Sequence, residues 1–190
     1  MDYLNKNIND HISVFSKLIA KNKEINIAIY KIFNSLKKKN KILICGNGGS
    51  AADAQHLTAE YLVRLKPGFK RPPIPIINLV SDTSTITACS NDFSFSEVFS
   101  RNLEAFGKKG DILIIISTSG NSKNIVNVLK TAKKNKIFSI GFLGNNGGIS
   151  KKYCNLPIIV DSKSVPRIQE CHIFLGHFIF DEVEKKLFKK

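Results

Sequence analysis

From residue 41 onward the sequence alternates short, continuously apolar runs with longer amphipathic stretches, and this alternation constrains the fold more than any other feature. The runs are KILIC (41–45), PIPIINLV (73–80), DILIIIS (111–117), IFSIGFL (137–143) and NLPIIV (155–160). Each is rich in β-branched residues and apolar at successive positions, so both faces of the strand it forms must be covered. Between them lie GNGGSAADAQHLTAEYLVRL, a helical segment over 97–106 that follows SDTSTITACSND, and NSKNIVNVLKTAKKN. The pattern predicts an α/β fold: a doubly wound, five-stranded parallel sheet flanked by helices. Residues 165–188 read as a long closing helix, with Ser164 at its N-cap and Pro166 in its first turn. The middle of that helix, 171–180, is apolar nearly all round and is expected to be buried by the sheet or by another subunit.

Two further helices precede the sheet. Ile8, Ile12, Phe15 and Ile19 recur at helical spacing, as do Ile25, Ile29, Ile32, Phe33 and Leu36. Residues 1–40 are therefore expected to cap the domain or to form an oligomer interface. The chain's 190 residues suffice for one domain over 1–190, with its α/β core in 41–190. KPGFKRPPIP (66–75) reads as a loop and not as a domain boundary.

Several function classes are disfavoured. No apolar run reaches the roughly 18 residues of a membrane span. MDYLNKNINDH lacks a basic start followed by an apolar stretch, so no signal peptide is expected and the cytoplasm is the expected location. Cys45, Cys89, Cys154 and Cys171 form no CxxC pair and read as reduced structural thiols. A net charge of +14 raises nucleic-acid binding. The excess is mostly lysine, however, scattered over helix faces and at Lys185, Lys186, Lys189 and Lys190, with arginine only at Arg64, Arg71, Arg101 and Arg167. Solvated lysine faces account for this charge, and a nucleic-acid partner is not expected. A basic surface also attracts an anionic small molecule.

Two loops follow strands, where open α/β sheets bind ligands. Gly46-Asn47-Gly48-Gly49-Ser50 opens a helix, so its glycines allow close backbone approach and the helix start offers N–H groups to an anion. It matches G-x-G-x-x-A, but no acidic residue follows at the distance a dinucleotide site needs, and no Lys-Ser/Thr makes it a Walker loop. Ser117-Thr118-Ser119-Gly120-Asn121-Ser122 supplies four hydroxyls in six residues, a neutral cradle for a phosphate monoester. A Ser-rich turn alone is an ordinary helix cap; two such loops at strand ends favour a ligand. His56 and Glu60 are four residues apart on one helix face, while Gln169, Glu170, His172 and His177 lie on the closing helix. A carboxylate and an imidazole are the groups that move a proton between adjacent sugar carbons. Taken alone, the same residues read better as a surface His/Glu pair and a satisfied buried histidine. Cys45 stands among apolar residues and reads as core.

Four blocks, CGNGGSAADAQHLTAE, SNDFSFSEVFSR, ISTSGNSKNI and PRIQECHIFLGH, fall in the order and spacing of bacterial phosphoheptose isomerases, which the whole chain resembles. These belong to the sugar isomerase (SIS) domain family, whose fold is a flavodoxin-like sandwich. The resemblance implies conversion of sedoheptulose 7-phosphate to D-glycero-D-manno-heptose 7-phosphate through an enediol. That reaction is the first step towards nucleotide-activated heptose for lipopolysaccharide or capsule. It also implies a homotetramer with active sites at subunit interfaces. Carried over by position, Glu60 is the base and His177 its acid/base partner. Ser117, Thr118, Ser119 and Ser122 take the phosphate, and Asn47, Gly48, Gly49, Asn91, Asp92 and Gln169 hold the sugar beside Glu60. One Zn2+ per subunit would sit on His56, Glu60, Gln169 and His177.

Gln169 and His177 stand eight residues apart, roughly 12 Å along a helix and about 80° around it. Bonds of about 2 Å to one ion cannot span that, so a zinc site built from both must draw on two subunits. Two departures, Pro166 before the Arg-Ile-Gln block and Ala51-Ala52 after the glycine loop, touch no acid/base group. Two alternatives share the fold: a non-catalytic SIS tetramer that binds the replication initiator protein, and an isomerase of another sugar phosphate. As the relative is known, the first lacks counterparts of Glu60 and His177, and the second usually comes with extra domains for which this chain has no room.

Overall fold

A computed structural model describes residues 2–79 and 82–188. Five strands, β1 (Ile42–Gly46), β2 (Ile76–Asn78), β3 (Ile112–Ser117), β4 (Phe138–Gly144) and β5 (Leu156–Val160), form one sheet in the order β2-β1-β3-β4-β5. Every pairing is parallel. The chain leaves β1 for one neighbour, β2, and reaches the other, β3, afterwards. The strand order therefore reverses between β1 and β3, the position where doubly wound sheets open a crevice at their carboxyl ends.

Alternate residues of each strand feed two cores. Ile42, Ile44, Ile114, Ile116, Ile140 and Phe142 pack under α2 (Asn22–Lys37), α3 (Gly49–Leu62) and α7 (Val165–Leu187). Leu43, Cys45, Leu113, Ile115 and Leu143 pack under α4 (Thr83–Asp92), α5 (Val98–Phe106) and α6 (Lys123–Lys134). This two-sided burial is why the strands read as unbroken apolar runs. Cys45 is fully buried and burial pushes its thiol pKa up, as suits a core residue. At the base of the sheet, the fully buried Asp111 accepts from the backbone N–H groups of Lys41 (3.0 Å) and Lys108 (2.9 Å) and pairs with Lys41 Nζ at 2.7 Å. These partners offset the cost of a buried carboxylate and tie β1 to β3.

Two elements differ from expectation. β2 spans three residues rather than the whole of 73–80; Val80, like Ser81, lies outside the described residues. Pro72, Pro73 and Pro75 lack the N–H a ladder requires and confine pairing to the short edge that follows. Pro157 is tolerated within β5 for the same reason, since β5 is the opposite edge. The second difference is α4, a helix over a stretch not assigned as one. Its hydroxyl-rich, β-branched composition disfavours a helix. Asp82 starts it nonetheless, accepting from Thr85 N–H at 2.8 Å as a side-chain cap.

The leading segment forms α1 (Asp2–Ser16), a short 3₁₀ turn (Lys17–Lys21) and α2. α2 is packed on the sheet, but α1 contains no buried residue. α1 is fastened to α7 by polar contacts: His11 Nδ1 lies 2.7 Å from a Glu170 oxygen, and Arg167 donates to the Asn7 carbonyl (3.0 Å) and to Glu170 (2.6 Å). α7 starts at Ser164 with proline in its first turn, although the Ser164 side chain makes no capping bond. Its middle is buried on one side only; Phe174 and Phe178 remain 38% and 41% exposed. Lys189 and Lys190 lie outside the described residues. No helix among the described residues is long and apolar enough to cross a membrane.

His172, on the sheet side of α7, is fully buried 6.3 Å from the Phe142 ring. Burial pushes its pKa down to about 4, against a smaller upward pull from the Leu143 backbone. Unfolding restores a value near 6.5, so between these values the unfolded chain binds the extra proton. Stability therefore falls as pH drops from about 6.5 to 4, by about 3 kcal/mol at one pK unit per 1.36 kcal/mol. Denaturant titrations of wild type and His172→Phe across this range should show the acid loss shrinking in the variant.

Candidate active site

The carboxyl ends of β1 and β3 carry the two loops singled out in the sequence. Gly48 adopts φ +56°, a conformation that favours glycine, and Gly49 begins α3. A Cβ on Gly49 would collide with the Gln169 amide of α7, so Gln169 lies directly over the start of α3. Asn47 and Asn124 exchange two side-chain amide hydrogen bonds, both 2.9 Å, which tie the first loop to the first turn of α6. Asn124 is 3% exposed and was not singled out in the sequence, where an Asn in a helix's first turn reads as an ordinary polar position.

In the second loop, Ser117 is buried and its hydroxyl accepts from the Gly120 N–H at 3.0 Å. It shapes the turn from within. Ser119 is exposed, Thr118 and Ser122 are half-buried, and Ser122, at the N-cap of α6, makes no side-chain capping bond. Those three hydroxyls and the start of α6 form the open part of the cradle. Gly120, at φ +65°, sits so close to the Gly147 backbone that any side chain would collide with it. Asn121 accepts from Ile149 N–H at 2.9 Å. The loop after β4 thus braces the cradle from behind. A cleft of about 480 Å³, lined by Asn47, Ser94, Phe95, Ser96, Ser122, Lys123 and Asn124, opens beside it. Asn91 and Asp92, hydrogen-bonded to each other at 2.9 Å, are exposed at the end of α4.

The titratable group lies elsewhere. His56 and Glu60 on α3 meet His177 on α7: the two histidine Nε2 atoms are 2.8 Å apart, and His56 Nε2 is 3.7 Å from Glu60 Oε1. They line a second cleft, of about 500 Å³, with Lys66, Phe174, Phe178 and Asp181. Burial and the neighbouring His56 push the His177 pKa below 6.5, partly opposed by Glu60. His177 is thus neutral at pH 7 and able to accept or pass on a proton.

α3 and α7 run side by side in the same direction, Gly49 beside Gln169, His56 beside His177, Tyr61 stacked on Phe180. Gln169 and His177 are consequently held at opposite ends of the contact, as their spacing implied. Of the four residues implied as zinc ligands, one chain brings three together and places the fourth with the glycine loop. Among the described residues no group of three or more His, Cys, Asp or Glu side chains stands arranged around a metal position.

The SIS domain profile matches residues 5–144. A phosphoheptose isomerase of Clostridium acetobutylicum is 48% identical over 165 residues, covering 87% of this chain and 83% of that protein. One from Sulfurimonas denitrificans is 46% identical, covering 98% and 88%. This chain belongs to the SIS domain family, in its phosphoheptose isomerase branch. Solved structures agree: phosphoheptose isomerases from Francisella tularensis and Neisseria gonorrhoeae each superimpose with a TM-score of 0.89 at 32% identity, over 97% of this chain and 97% and 98% of theirs. The SIS assignment covers both loops and α3. The relatives extend it through α7, so the family's sheet and the paired α3–α7 helices are those described above.

Proposed function

We propose that this isomerase converts sedoheptulose 7-phosphate to D-glycero-D-manno-heptose 7-phosphate in a site that two subunits share. The single observation that carries the reading is the convergence of Glu60, His56 and His177 in a fold that also builds a phosphate cradle at its β1/β3 crevice. Glu60 removes a proton from C1 of the ketose while the C2 oxygen gains one, giving a 1,2-enediol. The O1 proton then leaves as C2 is protonated, giving the aldose. Neutral His177 serves the oxygens and Glu60 the carbons; no net oxidation occurs.

Glu60 stands eleven residues beyond Gly49 on α3, about 16 Å along the axis. The reach from phosphorus to the reacting carbons of an extended seven-carbon sugar phosphate is about 9 Å at standard bond lengths. Within one chain the cradle and Glu60 open into separate clefts, and we assign the cradle of a neighbouring copy as the partner of Glu60. An apolar groove of about 580 Å³ between α1 and α7, lined by Ile12, Phe15, Leu18, Ile19, Phe174 and Phe178, adjoins the Glu60 cleft. It supports a homotetramer that buries this face around the acid/base group.

Zinc fits the donor chemistry of His56, Glu60 and His177. Nitrogens bound to one tetrahedral zinc stand roughly 3.3 Å apart, so the two imidazoles need to open only slightly, with Gln169 arriving from another subunit. Bound there, zinc would take up the His177 Nε2 lone pair and would itself polarise the substrate oxygen that His177 serves in the metal-free site. Purified protein is expected to contain about one zinc per subunit, and a chelator to lower both activity and unfolding temperature. Metal analysis finding none, with no chelator effect on either, would remove zinc from the reading. The cytoplasm is the proposed location and lipopolysaccharide or capsule heptose the proposed destination.

The deciding experiment is incubation of the purified protein with sedoheptulose 7-phosphate, following the aldoheptose product. No turnover by an intact oligomer would favour the non-catalytic SIS tetramer instead.

A further inference from the structure

Arg71 lies in an irregular segment after α3 and is not among the residues assigned to substrate or metal, yet its side chain is only 1% exposed. Its guanidinium spends its donors on one small region. One terminal nitrogen donates to the Glu60 carbonyl at 2.8 Å; the other donates to the Tyr61 carbonyl at 2.9 Å and the Pro72 carbonyl at 3.0 Å. The N–H on Nε pairs with Glu184 of α7. Glu184 is itself 2% exposed and stands seven residues, two turns, beyond His177 on the same face.

The first two carbonyls belong to the last turn of α3, where a helix has no internal donors left to satisfy them. Arg71 supplies a donor to each, joined at the Tyr61 carbonyl by the Ile74 N–H at 3.0 Å, and so caps the turn that carries the base. Its carboxylate partner sits on the helix that carries His177. Tyr61, fully buried between them, stacks on Phe180 with centroids 3.8 Å apart and donates to the Phe180 carbonyl at 3.1 Å. The end of α3 is thereby fastened to α7 one to two turns beyond His177.

We infer that Arg71 and Glu184 are positioning residues: their buried pair holds Glu60 at its working distance from His177. The inference rests on the acid/base reading of Glu60 and His177. A simpler role in stability is separable by chemistry. Lysine keeps the charge of Arg71 but not the planar fork that reaches two helices at once. Replacing both partners with methionine removes the charges together and leaves no unpaired ion, a change that folded proteins tolerate.

Steady-state kinetics of Arg71→Lys and of the double variant Arg71→Met/Glu184→Met test the inference. Both are expected to remain folded oligomers whose kcat falls at least about tenfold, since small misplacement of a reacting group is costly. KM should stay within about threefold, because the phosphate cradle is remote from the clamp. A folded double variant with kcat within about threefold of wild type overturns the inference, as does a rise in KM alone. Amide hydrogen exchange over residues 58–64 reads the clamp without reference to activity. Faster exchange in the double variant is expected, and unchanged protection counts against the clamp. Wild type and Glu60→Gln run alongside. If wild type fails to turn over the sugar phosphate, the acid/base reading falls and with it the assigned role, and exchange alone reports whether the fastening exists.

Discussion

Glu60→Gln is expected to lower kcat for sedoheptulose 7-phosphate by about 10²-fold or more, the scale on which removing a general base acts, and His177→Ala to do the same. Glutamine preserves the shape and much of the hydrogen bonding at position 60 but has no basic oxygen pair. Glu60 is partly exposed, so neither fold nor oligomer should suffer. The effect should appear in kcat with KM little changed, since the phosphate is held elsewhere. The pH profile carries a second signature. Burial and His56 depress the His177 pKa, so the acid limb of wild-type activity should lie below 6.5 and activity should persist as pH falls towards it. Product formation by Glu60→Gln at more than about a tenth of the wild-type rate would assign the base to another residue.

Two inactive variants are expected to regain activity when mixed. Ser119→Glu places a carboxylate in the exposed part of the cradle and repels the phosphate while leaving Glu60 intact. Glu60→Gln leaves the cradle intact. If each site joins one subunit's cradle to another's Glu60, co-assembled oligomers place both native halves together in about a quarter of sites by random assortment. Activity of co-expressed, co-purified variants should therefore approach about a quarter of wild type, far above either parent. Mixtures that stay at the parental level would place the whole site within one chain and overturn the shared-site reading.

Much of the architecture was legible because its causes are local. Short, continuously apolar, β-branched runs such as 112–117 read as two-sided strands, and Ile25, Ile29, Ile32 and Leu36 as one helix face. Where local signals were weak or contradictory, tertiary context decided. α4 has hydroxyls and β-branched residues where a helix prefers alanine and leucine, and Asp82 with its packing overrides that preference. The prolines before β2 were visible, but how many ladder bonds they remove depends on the partner strand.

The site divides in the same way. The two glycine- and serine-rich loops, and the shared face of His56 and Glu60, follow from sequence spacing alone. So does the impossibility of joining Gln169 and His177 of the same chain on one ion, because a helix rises a set distance per residue. Spacing could not say that Ser117 turns inward to shape its loop, that Asn47 pairs with Asn124, or that Arg71 reaches both Glu60's carbonyl and Glu184. Nor could it say which side of α7 is left open at Phe174 and Phe178. Periodicity belongs to one segment and can be read along the chain. Which helix lies against which, in what direction and at what depth, belongs to the packing of all segments at once, and only the folded chain sets it.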